Sequence, residues 1–196
     1  MKAKIAKIIR IITVPPIMIL GLIIILSSLR TDIFQNNTQI IISILFLGIV
    51  PILAYPLQPI LPKFKYKGRE GQRELAFILN IAGYILAVII GYFMGVDSNL
   101  QFIYNTYLIS VILLTIINKG FHIRASGHAC SATGPLLFLV YLFGFKAIVP
   151  CIIVGALTIW ASLTLKRHTK KDIAMGALAC ILAFGCAFIL QTYLIK

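Results

Sequence analysis

The chain has 196 residues, 60% of them hydrophobic and 12% charged, and its formal net charge at pH 7 is +13. A mean hydropathy of +1.01 excludes a soluble globular domain and indicates a polytopic membrane protein, because no soluble core absorbs several apolar runs of about 20 residues. The basic residues lie in short loops at membrane ends, which favours anionic lipid headgroups or phosphates as partners and disfavours nucleic acid.

The apolar runs predict an all-α bundle of six to seven transmembrane spans that forms one domain over residues 1–196. The first span covers residues 8–29 and is expected to bend at Pro15 and Pro16. A cleaved signal peptide is the alternative there, but the run is longer than a typical signal sequence and no A-x-A cleavage site follows it. The first span is therefore expected to be retained.

Six further apolar runs follow the first. They predict spans at residues 40–61, 75–95, 102–117, 136–145, 147–165 and 173–195. The fifth is short by itself and is expected to include the preceding ACSATGP, residues 129–135. The seventh is rich in Gly, Ala and Cys, and because small residues let helices pack closely in lipid, we expect it at the centre of the bundle.

Three polar islands lie between these runs and contain the functional candidates. The islands are residues 63–74 (KFKYKGREGQRE), 119–135 (KGFHIRASGHACSATGP) and 166–172 (KRHTKKD). An even number of spans precedes each island when seven are counted, so all three are expected on the membrane face that also holds the N-terminus. Residues from distant parts of the chain would then meet at one site in the loops of that face.

The distribution of charge predicts which face this is. Fifteen of the 18 Lys and Arg residues lie on the island side, and Arg30, Lys146 and Lys196 lie opposite. The positive-inside rule therefore predicts that the islands are cytoplasmic, in the cell (plasma) membrane. The cations at the N-terminus are expected to report orientation independently of function; they are Lys2, Lys4, Lys7 and Arg10.

In the third island, His168 and Asp172 are candidates for a nucleophile and its partner. They are four residues apart, so on a helix that begins here they lie one turn apart on the same face. A carboxylate in that position holds one ring nitrogen as the N–H tautomer and leaves the other nitrogen free to attack. The alternative is an interfacial His followed by an Asp that caps the helix, where a negative charge is favourable.

The central island contains the turn Ser126-Gly127-His128 just before a predicted helix. Ser126 and Gly127 are phosphate-binding candidates, because Gly lets the backbone approach a ligand and N–H groups at a helix start bind anions. His128 is a candidate general acid, and Arg124 and Lys119 are candidate phosphate ligands. The alternative is a plain interhelical turn flanked by snorkelling cations.

The first island adds further candidate phosphate ligands, namely Lys65, Lys67, Arg69 and Arg73. The alternative is that these cations meet lipid headgroups at the membrane surface. Taken together, two histidines with different neighbours suit a nucleophile and an acid acting on one phosphoryl group. Phosphoryl transfer depends mostly on positioning and charge stabilisation, which the basic residues of the islands supply.

The order and spacing of these residues resemble the type 2 phosphatidic acid phosphatase superfamily, integral-membrane lipid phosphatases that share a site with vanadium haloperoxidases. That family carries K-x6-RP, PSGH and SR-x5-H-x3-D. Here ASGH at residues 125–128 matches the second motif in three of four positions, and His168 and Asp172 keep the H-x3-D spacing of the third. The resemblance covers about residues 63–176, where Gly176 follows RHT as in a familiar variant of the third motif.

The resemblance implies a role for each matching residue and a reaction that needs no metal or other cofactor. His168 would be the nucleophile that forms a phosphohistidine, and Asp172 would orient it. His128 would be the acid, while Ser126 and Gly127 would bind phosphate.

The chain departs from the family pattern in all three motifs. Ala125 replaces the proline of PSGH, and Ser162 stands where the family has Arg six residues before the nucleophile. No K-x6-RP is present; its nearest counterpart pairs Lys65 or Lys67 with Arg69 or Arg73. Three residues are candidates to supply the missing charge, namely Arg124, Lys166 and Arg167.

The expected activity is metal-independent hydrolysis of a membrane lipid phosphate of the phosphatidate, phosphatidylglycerophosphate or polyprenyl phosphate class. One alternative is transfer of the phosphate from the same phosphohistidine to another acceptor. Another is a non-catalytic phospholipid-binding protein on a decayed site, which Ser162 favours. A transporter is disfavoured because no acidic residue lies mid-span, and the four cysteines indicate neither zinc nor disulfides.

Overall fold

The helices begin and end where prolines, glycines and polar residues interrupt the apolar runs. The computed structural model describes residues 1–194, and the regular secondary structure within them is entirely helical. In chain order the helices are α1 (Lys2–Ile12), α2 (Pro15–Leu29), α3 (Asn37–Leu57), α4 (Pro62–Lys65), α5 (Gly68–Met94), α6 (Ser98–Gly120), α7 (Gly127–Phe143), α8 (Phe145–Thr164) and α9 (Lys170–Leu194). Helix α3 contains a π-helical stretch, Ile44–Ile49, and α6 ends in another, Ile116–Gly120.

The lengths of these helices define a membrane-spanning bundle. Within residues 1–194, five helices are long and apolar enough to cross a bilayer, namely α3, α5, α6, α8 and α9. Helices α1 and α2 add a sixth span if the pair, bent by 56°, is counted as one. Helix α7 is apolar and shorter, with 17 residues. The predicted all-α polytopic transmembrane bundle is therefore confirmed.

Prolines determine where the first two spans are interrupted. The bend predicted at Pro15 and Pro16 is a complete break, because Pro15 begins α2 at a position where a missing N–H costs nothing. The second span ends at Leu57 rather than at residue 61. Pro59 follows within one turn, and a proline there removes a helical hydrogen bond and clashes with the preceding turn.

The last three spans follow the predicted pattern closely. The fifth includes ACSATGP as expected, since α7 begins at Gly127 and continues through Pro135. The predicted end of the seventh span at Ile195, and the placement of Lys196 opposite the islands, lie outside the described residues.

The centre of the bundle is α6, so the prediction that the seventh span lies there is wrong. In α6, 61% of the apolar window is buried, compared with 33% in α9. Ala179 and Ala187 of α9 do pack in cores shared with α6 and α7. Small residues allow close packing on one face of a helix, but the opposite face of α9 exposes Ile181 and Leu182.

Hydrogen bonds tie the loops together at the end of the bundle that lacks the islands. Arg30 Nη1 donates to the Leu142 carbonyl at 3.0 Å, and Gln35 Nε2 donates to the Gly95 carbonyl at 3.2 Å. These contacts join the segment that follows α2 to the end of α7 and to the segment that follows α5. The three islands lie at the other end, as the parity of the spans predicts.

Candidate active site

The three islands meet around a cavity of about 800 Å³. The first island contributes residues from the start of α5, the central island contributes the turn that begins α7, and the third contributes the connection between α8 and α9. Island residues that line the cavity are Arg69, Glu70, Gln72, Arg73, Arg124, Gly127, His128, Ser131, Lys166, Arg167 and His168. The expectation that distant loops gather at one site is therefore confirmed.

A tight turn at the end of α8 places His168 at the wall of the cavity. Lys166 adopts a left-handed backbone conformation, with φ of 49°. Its N–H donates to the Leu163 carbonyl at 3.0 Å, and the Arg167 N–H donates to the Ser162 carbonyl at 3.1 Å. This is the Schellman arrangement that closes many helices, usually with Gly at the left-handed position. It reverses the chain, so that His168 follows immediately on the cavity side.

The first turn of α9 then sets the position of Asp172 beside His168. The Thr169 N–H donates to Asp172 Oδ2 at 3.0 Å, and the Asp172 N–H donates to Thr169 Oγ1 at 3.1 Å. This reciprocal pair satisfies two N–H groups at the helix start and fixes the carboxylate. The other neighbours of Asp172 Oδ2 are Arg124 Nε and His168 Nδ1, each at 3.7 Å.

The imidazole of His168 is oriented by this carboxylate. Its side chain is 16% exposed, and Nδ1 is buried without a hydrogen-bond partner among the described residues. The 3.7 Å between Nδ1 and Asp172 Oδ2 is longer than a hydrogen bond, so the two groups face each other without one. With Nδ1 directed at the carboxylate, Nε2 is the nitrogen that remains for a ligand.

The charge state of His168 is biased towards the neutral form. Burial lowers the pKa of its imidazole below the ordinary value, and the positive charges of Arg10, Arg124 and Arg73 lower it further. Asp172 opposes the shift by raising the pKa. A neutral imidazole is the form with a free nitrogen lone pair, so the surroundings favour a nucleophilic role near neutral pH.

The turn before α7 packs against the start of α9. Ser126 is the N-cap of α7: its Oγ accepts from the Ala129 N–H at 3.2 Å. Its own N–H donates to the Asp172 carbonyl at 2.8 Å, which ties the second motif directly to the third. Gly176 of α9 packs against the Ser126 carbonyl so closely that a Cβ would collide with it. A glycine four residues after Asp172 therefore lets the two segments approach.

The turn before α7 is also held from the end of α6, by Asn118. The Ala125 N–H donates to Asn118 Oδ1 at 3.1 Å, and Asn118 Nδ2 donates to the Leu114 carbonyl. A proline at position 125 has no N–H to donate. In this chain the turn is therefore held by Asn118 instead of by a proline ring.

His128 and Ser126 have different surroundings in this turn. His128 lines the cavity, and its Nε2 is buried without a hydrogen-bond partner in residues 1–194. Ser126 is 1% exposed and its hydroxyl caps the helix, so its predicted contact with phosphate stays a prediction. Gly127 reaches the cavity, where the amides at the start of α7 are available to an anion.

The basic candidates of the islands divide into two groups. Arg69, Arg73, Arg124 and Arg167 line the cavity. Lys65, Lys67 and Lys119 are exposed and lie outside its lining. Lys67 Nζ forms an ion pair with Glu74 at 2.9 Å, and Lys65 Nζ lies 5.6 Å from the ring centre of Tyr66. The two lysines precede Gly68, whose positive φ of 53° turns the chain into α5 and brings the arginines to the cavity.

Sequence reasoning missed a fifth arginine at the cavity, Arg10 of α1. Its Nη1 donates to Ser162 Oγ at 3.3 Å, across 152 residues of chain. Arg10 therefore reaches Ser162, six residues before His168. The expectation that the N-terminal cations report only orientation is wrong for Arg10, since it lines the cavity beside His168. A proline break after α1 is the one sequence signal that α1 is a separate element.

The cavity is strongly cationic. Its lining includes the side chains of Arg10, Arg69, Arg73, Arg124, Lys166 and Arg167, and among the described residues Glu70 is the one carboxylate that lines it. Within residues 1–194, no group of three His, Cys, Asp or Glu side chains is placed to hold a metal ion. A site with this balance of charge is suited to an anion with more than one negative charge.

Comparisons with known proteins add no relative from which a role can be transferred. No protein-family model matches the chain, and no curated protein or solved structure is significantly similar to it. The geometry and the charge of the cavity are therefore the basis for a functional proposal.

Proposed function

We propose that the protein is a membrane phosphatase that removes the terminal phosphate of a lipid through a phosphohistidine on His168. One observation carries the proposal: His168, backed by Asp172, shares a cationic cavity with a second histidine, His128. The resemblance of these residues to the motifs of the type 2 phosphatidic acid phosphatases supports the same chemistry. Arginines around the cavity would stabilise the charge on the transferred phosphoryl group.

In the first step, Nε2 of His168 attacks the phosphorus atom. The bond from phosphorus to the lipid oxygen breaks, and His128 donates a proton to the leaving oxygen. Burial, with Arg10 and His168, lowers the pKa of His128 to about 4, so His128 would act as the acid only once the negative charge of the bound phosphate favours its protonated form. In the second step, a water molecule attacks the phosphohistidine and gives its proton to His128. The phosphorus–nitrogen bond breaks, inorganic phosphate leaves, and both histidines return to their starting states.

The walls of the cavity favour an amphiphilic substrate. The arginines line one part, while Ala76 and Phe77 of α5 and Val111 and Leu114 of α6 line another. A lipid phosphate would place its headgroup among the arginines and the start of its chain along these apolar side chains. This supports a lipid of the phosphatidate, phosphatidylglycerophosphate or polyprenyl phosphate class over a soluble phosphate ester.

The test is release of inorganic phosphate by purified protein in detergent, with EDTA present, from a panel of lipid monophosphates and diphosphates. We expect release from at least one lipid and its loss, by a factor of about a thousand or more, in His168→Ala. His122→Asn is the matched control, because His122 is exposed and its left-handed backbone, with φ of 52°, tolerates Asn.

The other outcomes separate the alternatives. Phosphate that appears on an added acceptor lipid, with little free phosphate, would replace hydrolysis by transfer. A folded protein that binds these lipids and releases no phosphate from any of them would contradict the proposal and favour a phospholipid-binding protein. Activity that survives His168→Ala would exclude the phosphohistidine.

A further inference from the structure

We propose that Arg10 is a phosphate-binding residue of this site and is held in place by Ser162. The N-terminal helix α1 then contributes a ligand-binding side chain to the cavity. The inference rests on the proposed function for the identity of the substrate. It assigns the cation that the third motif lacks to a helix from the other end of the chain.

The contact with Ser162 positions the guanidinium of Arg10. Ser162 is 3% exposed on the last turn of α8, six residues before His168. Its Oγ accepts from Arg10 Nη1 at 3.3 Å. A serine hydroxyl is neutral, so this hydrogen bond holds the arginine without cancelling its charge. The guanidinium has five N–H donors, and one of them is used here, which leaves others for an anion in the cavity.

The charge of Arg10 is uncompensated in the structure. In residues 1–194, no carboxylate lies within 4.0 Å of it, whereas Arg124 has Asp172 at 3.7 Å. Its charged neighbours include Arg69 of α5, and it faces both His128 of α7 and His168. Like charges brought together without a counterion repel each other. A phosphate group bound between them would remove that repulsion, which is why we infer a ligand and not a structural ion pair.

The packing of α1 makes the position of Arg10 specific. Helix α1 contacts α8 along its length, and Ala6, one turn before Arg10, is fully buried. Lys4 and Lys7 on the same helix are exposed. The helix thus directs one of its cations into the site and leaves the others at the surface.

The experiment measures binding of inorganic phosphate to the purified, detergent-solubilised full chain, from the rise in its unfolding temperature as phosphate is titrated. Arg10→Gln is expected to weaken phosphate binding by about 10- to 100-fold, since a hydrogen bond to a charged group is lost. Lys7→Gln, on the exposed side of α1, is the matched control and is expected to bind as the unaltered protein does.

Rescue separates a role in binding from a role in folding. In the double variant Arg10→Gln with Ser162→Arg, the new guanidinium comes from the residue whose Oγ lies 3.3 Å from Arg10 Nη1, and we expect phosphate binding to return to within a few-fold. Arg10→Lys keeps the positive charge but not the planar, bidentate set of donors. It is expected to lose less phosphate affinity than Arg10→Gln. If Arg10→Gln does not fold, these two variants still test the role of the charge.

Kinetics on a lipid substrate gives a further readout. Arg10→Gln is expected to raise KM, and to move the acid limb of the pH profile to higher pH, because the charge of Arg10 lowers the pKa of His168. Asp172, Arg124, Arg73 and His128 also face His168 and are unchanged in this variant. The rise in KM is the readout that a merely structural arginine would not give, because loss of the nearby charge moves the pH profile in either case.

The outcomes distinguish this inference from the proposed function. Phosphate binding that depends on Arg10, in a protein that hydrolyses no lipid, would uphold the inference and reject the phosphatase. Hydrolysis with unchanged phosphate affinity, KM and pH profile in Arg10→Gln would overturn the inference and leave the phosphatase standing.

Discussion

Asp172 lies in the first turn of α9, four residues after His168, and the structure adds Arg124 and the Thr169 amide to its neighbours. The spacing was enough to predict the pair, although His168 lies in the bend before α9 and not on the helix, because the Thr169 N–H holds the carboxylate beside it. The arginines that lower the pKa of His168, namely Arg10, Arg73 and Arg124, come from three other segments of the chain. At the scale of single residues, the local pair is therefore predictable and its electrostatic surroundings are not.

Replacing Asp172 by Asn tests those surroundings. The carboxylate raises the pKa of His168 against the effect of burial and of the arginines, so its loss is expected to lower that pKa further. The acid limb of activity, set by protonation of the nucleophile, should then shift to lower pH. The maximal rate should also fall, by roughly 100- to 10,000-fold, because an amide no longer holds the imidazole in one tautomer.

The measurement is the pH profile of kcat/KM for the unaltered protein and for Asp172→Asn. For the unaltered protein, we expect the acid limb below the ordinary His value of 6.5. An acid limb that rises in the variant would show that Asp172 does not act on His168 as an electrostatic partner.

At the scale of helices, the turn that ends α8 conflicts with backbone propensity. Its left-handed position is usually Gly, yet Lys166 occupies it and lines the cavity. Non-Gly residues in this conformation are strained, and such strain tends to persist at functional sites. We interpret Lys166 as a residue kept for its charge.

Substitution of Lys166 separates strain from charge. Lys166→Ala removes the charge and keeps the strain, while Lys166→Gly removes both. We expect the Gly variant to be more stable than the Ala variant by about 1 kcal/mol, because Gly adopts this conformation without a steric penalty.

Phosphate binding is expected to weaken equally in the two Lys166 variants. Unfolding by a denaturing detergent measures stability, and phosphate titration measures binding. Equal stability of the two variants would mean that the turn stores no strain, and unaltered binding would remove Lys166 from the site.

At the scale of the whole molecule, the bundle separates two polar ends. The islands surround the cavity at one end, while Arg30 and Gln35 tie the loops at the other. The orientation of the bundle decides to which side of the membrane the cavity opens. The excess of Lys and Arg at the island end predicts the cytoplasmic side. Because Arg10 belongs to the cavity, Lys2, Lys4 and Lys7 are the N-terminal cations that still report orientation alone.

Accessibility of introduced cysteines tests the orientation. Lys119 lies at the island end and Lys146 at the opposite end, and both are exposed. In intact cells, a membrane-impermeant thiol reagent is expected to label Lys146→Cys and to label Lys119→Cys only after permeabilisation. The native cysteines are replaced by Ser or Ala in both variants, and the parent without cysteine is the background control.

The reverse labelling pattern would place the cavity on the outer face. A lipid phosphate presented on that side would then be the expected substrate. Labelling of both positions in intact cells would contradict the separation of the two ends.

The sequence by itself determined the class of the protein and the local geometry of its motifs. Long apolar runs belong in lipid, where their backbone N–H and C=O groups find partners by forming helices. Prolines and glycines mark where those helices stop. The spacing of His168 and Asp172, and the turn at Ser126, are properties of a few consecutive residues.

Only the tertiary structure decided what depends on the packing of distant segments. It placed α6 and not α9 at the centre, because burial on all sides depends on neighbours that a single helix does not encode. It left Lys65, Lys67 and Lys119 outside the cavity and brought Arg10 to Ser162. A contact across 152 residues has no periodic or local signal, since the side chains meet only when α1 packs on α8.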